Sequence, residues 1–376
     1  MCSPFLSGGT LMDFKWITDD IGPEKVVHIY DAKSGLKAIV VIDNTSLGPA
    51  IGGVRMASDV TAEEVFRLAR AMTFKNSAAG IPHGGGKSGI LADPKTENKE
   101  TIIRLFAQAI KELVMYIPGP DMGTNEETMA IIYNEIKRSV GRPEEIGGIP
   151  LDELGATGYG VAAATDVAKD FIKLNLNGAR LVVEGFGSVG RHSARFLSER
   201  GVKLIAANDT HGTIYNKNGL NLDELIMLKD AKKSVIDYKK GEKMPVDDIF
   251  KIECDILVPA ARPDVINEKN VNDIKTKLIV QGANIPITIG AEKILHDKGI
   301  LSIPDFIANA GGVIFTSVEY RNGTEKEAFE AVKTKISKNT QLILERVYKE
   351  KIYSRDAAEA LAKERLFKAM RYRRSR

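Results

Sequence analysis

One glycine-rich hexapeptide, GFGSVG at residues 185–190, limits what this chain can fold into more than any other feature. It directly follows a short apolar run, LVVE at residues 181–184, and it opens a stretch of helical pattern. In a strand–turn–helix unit of this kind, Gly185 permits the tight turn, Gly187 lets the backbone approach a pyrophosphate, and Gly190 lets helix and strand pack closely. The pyrophosphate would lie at the helix N-terminus, where free N–H groups and the helix dipole favour negative charge. The motif therefore predicts a dinucleotide-binding site.

Further apolar runs extend this unit into a sheet. Each run is short and is separated from the next by a helical stretch, and the runs lie at residues 181–184, 203–207, 255–258 and 278–280. Such runs are typical of parallel strands buried on both faces. Their alternation with helices predicts an α/β fold with a doubly wound, Rossmann-type sheet.

The choice of dinucleotide depends on where the second of these strands ends. It ends at Asn208 and Asp209, about 20 residues beyond the glycine motif, where a partner for the adenosine ribose is expected. A carboxylate there would bind the ribose 2′-hydroxyl of NAD and repel the 2′-phosphate of NADP. The sequence therefore favours NAD. Because Asn208 leaves the placement of Asp209 open, NADP stays an alternative.

The chain divides into three zones by pattern. Residues 1–148 are predicted to form a first α/β domain, residues 149–310 the dinucleotide-binding domain, and residues 311–376 a helical, increasingly charged C-terminal zone. In the first zone, residues 38–42 are typical of a strand.

Two helices of the first zone are marked by their starts, TAEE at residues 61–64 and TNEE at residues 124–127. In such capping boxes the Thr hydroxyl and the Glu carboxylate three residues later satisfy free backbone N–H groups. We therefore expect a helix to begin at each box.

Composition excludes several classes of protein. The 53 Lys+Arg and 50 Asp+Glu give a net charge of +3, too small to indicate nucleic acid as the main partner, so the basic end at residues 371–376 is interpreted as a solvated tail. Cys2 and Cys254 cannot form a disulfide framework, and the five histidines have no metal-ligand spacing, so no metal is expected. Residues 1–10 lack a basic start and a long apolar core, and no run approaches membrane-spanning length. These features predict a cytoplasmic protein without a membrane partner.

The first candidate for chemistry is Lys75. Counting in helical steps from Val65, Leu68 and Met72 places Lys75 on the same buried face. An ammonium group there is costly unless it has an anionic partner, although a lysine whose stem packs while its ammonium reaches water is a common alternative.

The second candidate, Lys87, lies in the glycine-rich stretch HGGGKSG at residues 83–89. We expect a loop there, where missing side chains let a ligand approach closely; a surface lysine is the alternative. The spacing and context differ from those of a nucleotide-hydrolase phosphate loop. Two lysines converging on one cleft would suppress each other's protonation, which makes one of them a base near neutral pH. Asp121, in PGPDMG, is typical of a turn, but beside such a pair it could carry protons.

At this point the chain resembles the glutamate/leucine/phenylalanine/valine dehydrogenase family over nearly its whole length. The matching stretches are LGPAIGGVRM at 47–56, the segments around Lys75 and Lys87, DMGT at 121–124, ATGYG at 156–160, the glycine motif, GAN at 282–284 and NAGGV at 309–313. The resemblance implies reversible NAD(P)-dependent oxidation of an L-amino acid to a 2-oxo acid and ammonia. It also implies C-terminal helices that return to the first, substrate-binding domain, and a closed homo-oligomer, a hexamer or octamer.

The resemblance also implies roles for single residues. Lys87 and Asp121 would be catalytic, with Lys87 activating water and Asp121 carrying protons. The substrate would be bound by Lys75, which holds its α-carboxylate, and by Gly53, Ile51, Asn309, Val313 and Thr316. The cofactor would be bound by Gly185, Gly187, Ser188, Val189, Gly190, Asn208, Asp209, Ala260 and Ala261, with Thr157 and Asn284 at its nicotinamide end.

The expected substrate follows from Ile51. Glutamate enzymes of the family usually carry a lysine there, which pairs with the side-chain carboxylate of the substrate. Burying that carboxylate against isoleucine would cost several kcal/mol, so the sequence favours an apolar amino acid such as leucine, valine or phenylalanine. Thr316 and Asp209 are more like the glutamate branch, and the pocket is therefore mixed.

Two alternatives stay open. One is a glutamate dehydrogenase in which Arg55 or Lys33 holds the side-chain carboxylate of the substrate. The other is a non-catalytic dinucleotide-binding regulator on the same fold, in which Lys87 and Asp121 would be idle.

Overall fold

A computed structural model describes residues 18–373 of the chain. Cys2, the segment 1–10 and the last three residues of the basic tail lie outside the described residues. None of the helices in the described range combines the length and apolarity needed to cross a membrane. In the same range, no cluster of His, Cys, Asp and Glu side chains could hold a metal ion.

The first sheet has five strands in the order β1-β2-β4-β3-β5. They are β1 (Lys25–Asp31), β2 (Leu36–Asn44), β3 (Ala50–Ala57), β4 (Gly84–Leu91) and β5 (Tyr116–Pro120). The β1, β2 and β4 strands are antiparallel, whereas β3 runs parallel to β4 and β5. The strand predicted at residues 38–42 is the centre of β2. Its alternate residues serve both faces, since Val40 and Ile42 pack in one core while Ile39 and Val41 pack in another.

Three helices flank this sheet: α1 (Ala62–Ala79), α2 (Lys99–Ala109) and α3 (Glu126–Ile136). The α1 helix begins after Thr61, whose side chain accepts from the Glu64 N–H as expected. The second half of that prediction is wrong, because the Glu64 carboxylate binds Arg55 instead of capping the helix. The α3 helix begins one residue later than predicted, since Asn125 caps it together with Thr128.

The glycine-rich stretch around Lys87 is a strand, which corrects the expected loop. Residues of β4 pair with β2 on one side and β3 on the other. A Cβ added at Gly85 would lie 2.1 Å from the backbone nitrogen of Thr73 in α1. The glycine is therefore there to let α1 pack directly on the strand.

The second sheet has seven strands in the order β12-β11-β10-β6-β7-β8-β9. They are β6 (Arg180–Glu184), β7 (Lys203–Asp209), β8 (Gly212–Tyr215), β9 (Glu242–Met244), β10 (Ile256–Pro259), β11 (Leu278–Val280) and β12 (Leu301–Ile303). The first five in this order are parallel, and β8 and β9 add an antiparallel edge. All four predicted buried strands are present, and the α/β fold class with a Rossmann-type sheet is confirmed.

The helices around the second sheet are α4 (Leu151–Leu154), α5 (Ala156–Phe171), α6 (Ser188–Ser198), α7 (Leu222–Asp230), α8 (Ile289–Asp297) and α9 (Asp305–Ala308). Three short 3₁₀ helices lie at Glu144–Ile146, Val235–Asp237 and Val246–Lys251. The α6 helix is the one that the glycine motif opens.

The C-terminal helices are α10 (Gly311–Tyr320), α11 (Glu325–Glu350) and α12 (Ser354–Arg373). The long α11 packs along α5, whereas α12 packs on α1. Arg365 of α12 donates to Ala78 O at 2.7 Å, and Lys335 of α11 donates to Gly80 O at 2.7 Å. These two cations satisfy the last carbonyls of α1 and fix the end of the helix that carries Lys75. The domain boundaries at 148 and 310 stay a prediction.

Candidate active site

Lys87 and Asp121 meet on the face of the first sheet that α1 covers. Lys87 lies in the middle of β4 opposite Val41, and Asp121 directly follows β5. Lys87 Nζ lies 2.9 Å from Asp121 Oδ1, and Lys87 is only 5 % exposed. Between them, a Cβ at Gly53 would lie 2.7 Å from Asp121 Cβ and 3.1 Å from Lys87 Nζ. Only glycine leaves room for this pair.

A third charged residue, Arg55, completes the centre. Its Nε donates to Asp121 Oδ2 at 2.8 Å, and its Nη1 contacts the Glu64 carboxylate. Burial favours the neutral acid of Asp121, but the charges of Lys87 and Arg55 outweigh it and hold the pKa of Asp121 below its usual value. Asp121 is therefore an anion between two cations.

Burial governs Lys87. It lowers the pKa of the ammonium, Asp121 opposes that effect, and the positive charge of Arg55 adds to it. The net direction is downward, so Lys87 gives up its proton more readily than an ordinary lysine. Arg55 is a like charge acting on Lys87 that the interpretation of two converging lysines did not include, and the charge of Lys87 in turn lowers the pKa of Lys75.

Lys75 lies one turn before the end of α1 and is half-buried. Its Nζ lies 3.4 Å from Asn284 Oδ1, and the same oxygen accepts from Asn309 Nδ2 at 3.0 Å. Burial lowers the pKa of Lys75 to about 8, while Asp305 opposes that shift and Lys87 adds to it. Asn309 Oδ1 is buried without a hydrogen-bond partner in the described range, which leaves an acceptor for a ligand.

An apolar cluster lies beside this centre. Ile51, which is 4 % exposed, packs with Ile117 and Val140 in a small core of their own. Ile51 and Ile117 are register partners two residues before Gly53 and Gly119, so the cluster shares the face that carries Lys87 and Asp121.

The α10 helix runs past this cluster. At its start, Gly312 lies next to Thr157, and at its end, Glu319 accepts from Gly141 N–H, beside Val140, at 3.0 Å. Val313 and Thr316 lie between these two contacts, and Thr316 Oγ1 donates to Val313 O at 3.0 Å.

Neither cation considered for a carboxylate substrate is placed to bind one at Ile51. Arg55 is engaged by Asp121 and Glu64. Lys33 is exposed in the turn between β1 and β2, beyond the end of the strand pairing. In the described geometry, therefore, neither Arg55 nor Lys33 supplies a cation beside Ile51.

The glycine motif lines a cleft of about 950 Å³. Gly185 has a φ of 86°, and a Cβ at Gly190 would lie 2.1 Å from Gly185 O, whereas a Cβ at Gly187 would project into open space. The turn, the close packing and the free space are those that a pyrophosphate requires, so these residues fit a dinucleotide.

The predicted cofactor residues divide between this cleft and a second one. The larger cleft is lined by Gly185, Gly187, Ser188, Val189, Asn208, Asp209, Ala260 and Ala261. The second, of about 320 Å³, is lined by Lys75, Thr157, Asn284 and Asn309 and shares Val189, Ala260 and Ala261 with the first. The shared residues connect the cleft at the glycine motif to the cleft that contains Lys75.

Asn208 and Asp209 are both held by the protein. Asn208 Oδ1 accepts from Gly185 N–H at 2.6 Å and so fixes the turn. Asp209 accepts from His211 N–H, Val235 N–H, Ser234 Oγ and Lys229 Nζ, the last at 2.9 Å. Burial opposes the charge of Asp209, but these donors lower its pKa to about 2. Lys229 lies 20 residues beyond Asp209 in the chain. It lines the same cleft, and the glycine motif does not indicate it.

Glu184 is another residue that the motif did not indicate. It ends β6 directly before Gly185, is 6 % exposed and lines the larger cleft. Its Oε2 accepts from Ala261 N–H at 3.3 Å. Burial raises the pKa of this carboxyl to about 7, although hydrogen bonds from the backbone oppose the shift.

Comparison with known proteins identifies the family. A family model described as "Glutamate/Leucine/Phenylalanine/Valine dehydrogenase" matches residues 147–374, and one described as "Glu/Leu/Phe/Val dehydrogenase, dimerisation domain" matches residues 23–138. A glutamate dehydrogenase of Aeropyrum pernix is 39 % identical over 88 % of this chain and 85 % of its own. An NADP-specific glutamate dehydrogenase of Saccharolobus shibatae is 37 % identical over 88 % and 83 %.

Solved structures agree. A hetero-hexameric glutamate dehydrogenase from Thermus thermophilus in a Leu-bound form has a TM-score of 0.82 and 27 % identity, over 93 % of this chain and 90 % of its own. An L-tryptophan dehydrogenase from Nostoc punctiforme has a TM-score of 0.75 and 26 % identity, over 93 % and 97 %. The resemblance seen in the sequence is confirmed, and the chain belongs to the Glutamate/Leucine/Phenylalanine/Valine dehydrogenase family of NAD(P)-dependent amino-acid dehydrogenases.

Proposed function

We propose that the chain oxidises an L-amino acid with an apolar side chain, of the leucine, valine or phenylalanine type, to the 2-oxo acid and ammonia. The observation that carries this proposal is Ile51, buried against Ile117 and Val140 on the face that holds Lys87 and Asp121. A carboxylate buried there would lose its hydration without a partner, which costs several kcal/mol. An apolar side chain gains from the same surroundings.

The residues of the cleft then have separate tasks. Charged Lys75 binds the α-carboxylate, and Asn309 Oδ1 accepts a hydrogen bond from the substrate amino group. Loss of hydride from Cα leaves the substrate as an iminium, and the dinucleotide, when bound, would supply the acceptor of that hydride. Neutral Lys87 takes a proton from the water that attacks Cα, and Asp121, 2.9 Å away, carries a proton between this amine and the departing ammonia.

Glutamate is the second candidate substrate. Two relatives, from Aeropyrum pernix and Saccharolobus shibatae, are named glutamate dehydrogenases, which favours glutamate. The hydroxyl of Thr316 in α10 also favours it. It requires a cation for the side-chain carboxylate, and the contacts of Arg55 and the position of Lys33 do not supply one.

NAD is the preferred cofactor in this proposal, with NADP as the alternative. Asp209 places a carboxylate at the end of β7, where the 2′-phosphate of NADP would lie. Lys229 compensates part of that charge, which weakens the discrimination without reversing it.

The assembly and compartment follow from less specific observations. The match of residues 23–138 to a dimerisation domain supports a homo-oligomer, for which we propose a closed hexamer or octamer. Cys254 is a free, buried thiol, which is consistent with a cytoplasmic, reducing environment.

A substrate panel tests the proposal. We expect the purified protein to reduce NAD with L-leucine, L-valine or L-phenylalanine, with kcat/KM at least about tenfold above that for L-glutamate. Formation of NADH and of the 2-oxo acid would be measured together, and each substrate would be repeated with NADP. A preference for glutamate contradicts the apolar pocket, and no turnover with any amino acid favours the non-catalytic regulator.

A further inference from the structure

A buried ion-pair cluster surrounds Arg355, the second residue of α12. Its Nε donates to Glu292 Oε2 at 2.6 Å, and its Nη2 donates to Glu292 Oε1 at 2.7 Å and to Asp305 Oδ1 at 3.1 Å. The guanidinium also lies 5.6 Å from the ring centroid of Phe306. Glu292 belongs to α8 and Asp305 begins α9. One arginine therefore ties the C-terminal helix to two helices beside the second sheet.

Asp305 connects this cluster to the cleft. The residue is 5 % exposed, and its Oδ2 accepts from Ile285 N–H at 2.9 Å. Ile285 has a φ of 49°, in the left-handed region that a β-branched residue rarely adopts. Such a conformation is unfavourable and persists only where surrounding contacts impose it. The carboxylate of Asp305 is one of those contacts, and Asp264 N–H, which donates to Ile285 O at 2.9 Å, is another.

The residue before Ile285 faces the substrate lysine. Asn284 Oδ1 lies 3.4 Å from Lys75 Nζ and accepts from Asn309 Nδ2 at 3.0 Å. Asp305 also interacts electrostatically with Lys75, since its negative charge opposes the lowering of the Lys75 pKa by burial. The Asp305 carboxylate thus acts on the surroundings of Lys75 in two ways, through the backbone at Ile285 and through its charge.

We propose that Asp305, held in place by Arg355, is a positioning residue of the active site, which fixes Asn284 opposite Lys75 and places a negative charge near its ammonium. The charged groups facing Asp305 are Arg355 from α12, Glu292 behind it on α8, and Lys75 across the cleft on α1. Lys75 also faces Lys87 from β4. The inference rests on the proposed function only in taking Lys75 as the ligand of the substrate carboxylate.

The charge is tested with Asp305→Asn in the full-length protein. Asparagine has one acceptor oxygen where Asp305 uses two, so the substitution removes the charge together with the hydrogen bond from either Ile285 N–H or Arg355. Because only a neutral amine reacts, the labelling of Lys75 by an amine-reactive acetylating reagent, followed by peptide mass spectrometry from about pH 6 to about pH 10, reports its protonation. We expect the midpoint, near pH 8 in the wild type, to move down by about half a pH unit or more in the variant. Labelling of exposed Lys33 is the internal reference, and an unchanged midpoint overturns the role of the charge.

The geometry is tested with Arg355→Gln, with Arg355→Lys as the conservative variant. We expect KM for the amino acid to rise about tenfold in the glutamine variant, because a small displacement of Asn284 weakens the site. Binding of NADH, followed by its fluorescence, should weaken less than KM rises, since Asn284 is expected only at the nicotinamide end of the cofactor, and lysine should recover part of both losses. A folded glutamine variant with wild-type KM contradicts the proposal. Absence of wild-type turnover would instead defeat the proposed function, and the labelling result would still be interpretable.

Discussion

Arg55 donates to one oxygen of Asp121 at 2.8 Å while Lys87 binds the other oxygen at 2.9 Å. The carboxylate is therefore held at both oxygens, by a guanidinium and by the Lys87 amine, before any substrate enters. Preorganisation of this kind lets a short proton path work without rearranging solvent at each turnover. The same close contact explains why Gly53, whose Cβ would lie against both Asp121 and Lys87, has no side chain.

Replacing Lys87 by methionine should abolish most turnover. The stem is retained, but the amine that takes a proton from water is lost, and general acid–base groups typically contribute about 10²–10⁴-fold to the rate. We expect kcat to fall by that factor while the dissociation constant of NADH, measured by fluorescence, stays within about twofold. The matched control is Lys33→Met in the exposed β1–β2 turn, which should behave as wild type. A Lys87→Met enzyme with normal kcat would contradict the catalytic role.

Lys75 predicts how KM depends on pH. In the proposed function the charged form of Lys75 binds the α-carboxylate. Because the pKa of Lys75 is about 8 without substrate, that form disappears as the pH rises through 8. KM for the amino acid should therefore rise up to about tenfold per pH unit above that value. In Lys75→Arg the guanidinium stays charged, so KM is expected to be higher throughout but flat across the same range. Parallel KM profiles for the two proteins would exclude this assignment.

Glu184 predicts how stability depends on pH. Its folded pKa of about 7 lies above the ordinary value of 4.5, so the native state retains a proton that the unfolded state releases. The contribution to stability is present below about pH 4.5 and is lost as the pH rises through 7. We expect Glu184→Gln to exceed the wild type in the free energy of unfolding by up to about 3 kcal/mol at pH 8.5, and by much less at pH 5.

Urea unfolding of the cofactor-free protein at both pH values measures this difference. The exposed carboxylate of Glu199, replaced by glutamine, is the control and should show no such change with pH. If Glu184→Gln gives the same difference at both pH values, burial does not hold a proton on this carboxyl.

The pair of Asp209 and Lys229 predicts cofactor selectivity. Removing the lysine leaves the carboxylate uncompensated beside the position of the 2′-phosphate. In Lys229→Gln we expect the ratio of kcat/KM for NADP to that for NAD to fall about tenfold, which corresponds to ~1.4 kcal/mol of added discrimination. Lys233→Gln, at an exposed lysine of the same segment, should keep the wild-type ratio. An unchanged ratio in Lys229→Gln would place the 2′-phosphate elsewhere.

Four strands of the second sheet, β6, β7, β10 and β11, were predictable because burial on both faces makes each a continuous apolar run. The β4 strand was not, since four of the eight residues in its sequence GGGKSGIL are glycines and only Ile90 is β-branched. It forms because β2 and β3 pair with it on both sides and because α1 needs Gly85 to approach. Long-range packing decided the structure there, and local pattern could not.

The site shows the same division. Lys75, Lys87 and Asp121 stood out by their local sequence and by the family resemblance. Their partners did not: Arg55 lies 66 residues from Asp121 in the chain, and Asn284 lies 209 residues from Lys75. Glu64 looked like half of a capping box, yet its carboxylate serves Arg55 because an ion pair to a partly buried guanidinium competes with the helix cap.

The most direct measurement concerns Ile51. Ile51→Lys adds the missing cation to the apolar wall, and Ile51→Met, of similar length and without charge, is its control. For each variant the ratio of kcat/KM for L-glutamate to that for L-leucine would be measured with the preferred dinucleotide. The account predicts a ratio at least about 100-fold higher in the lysine variant than in the methionine variant. Equal ratios in two folded, active variants would show that residue 51 does not contact the side chain of the substrate.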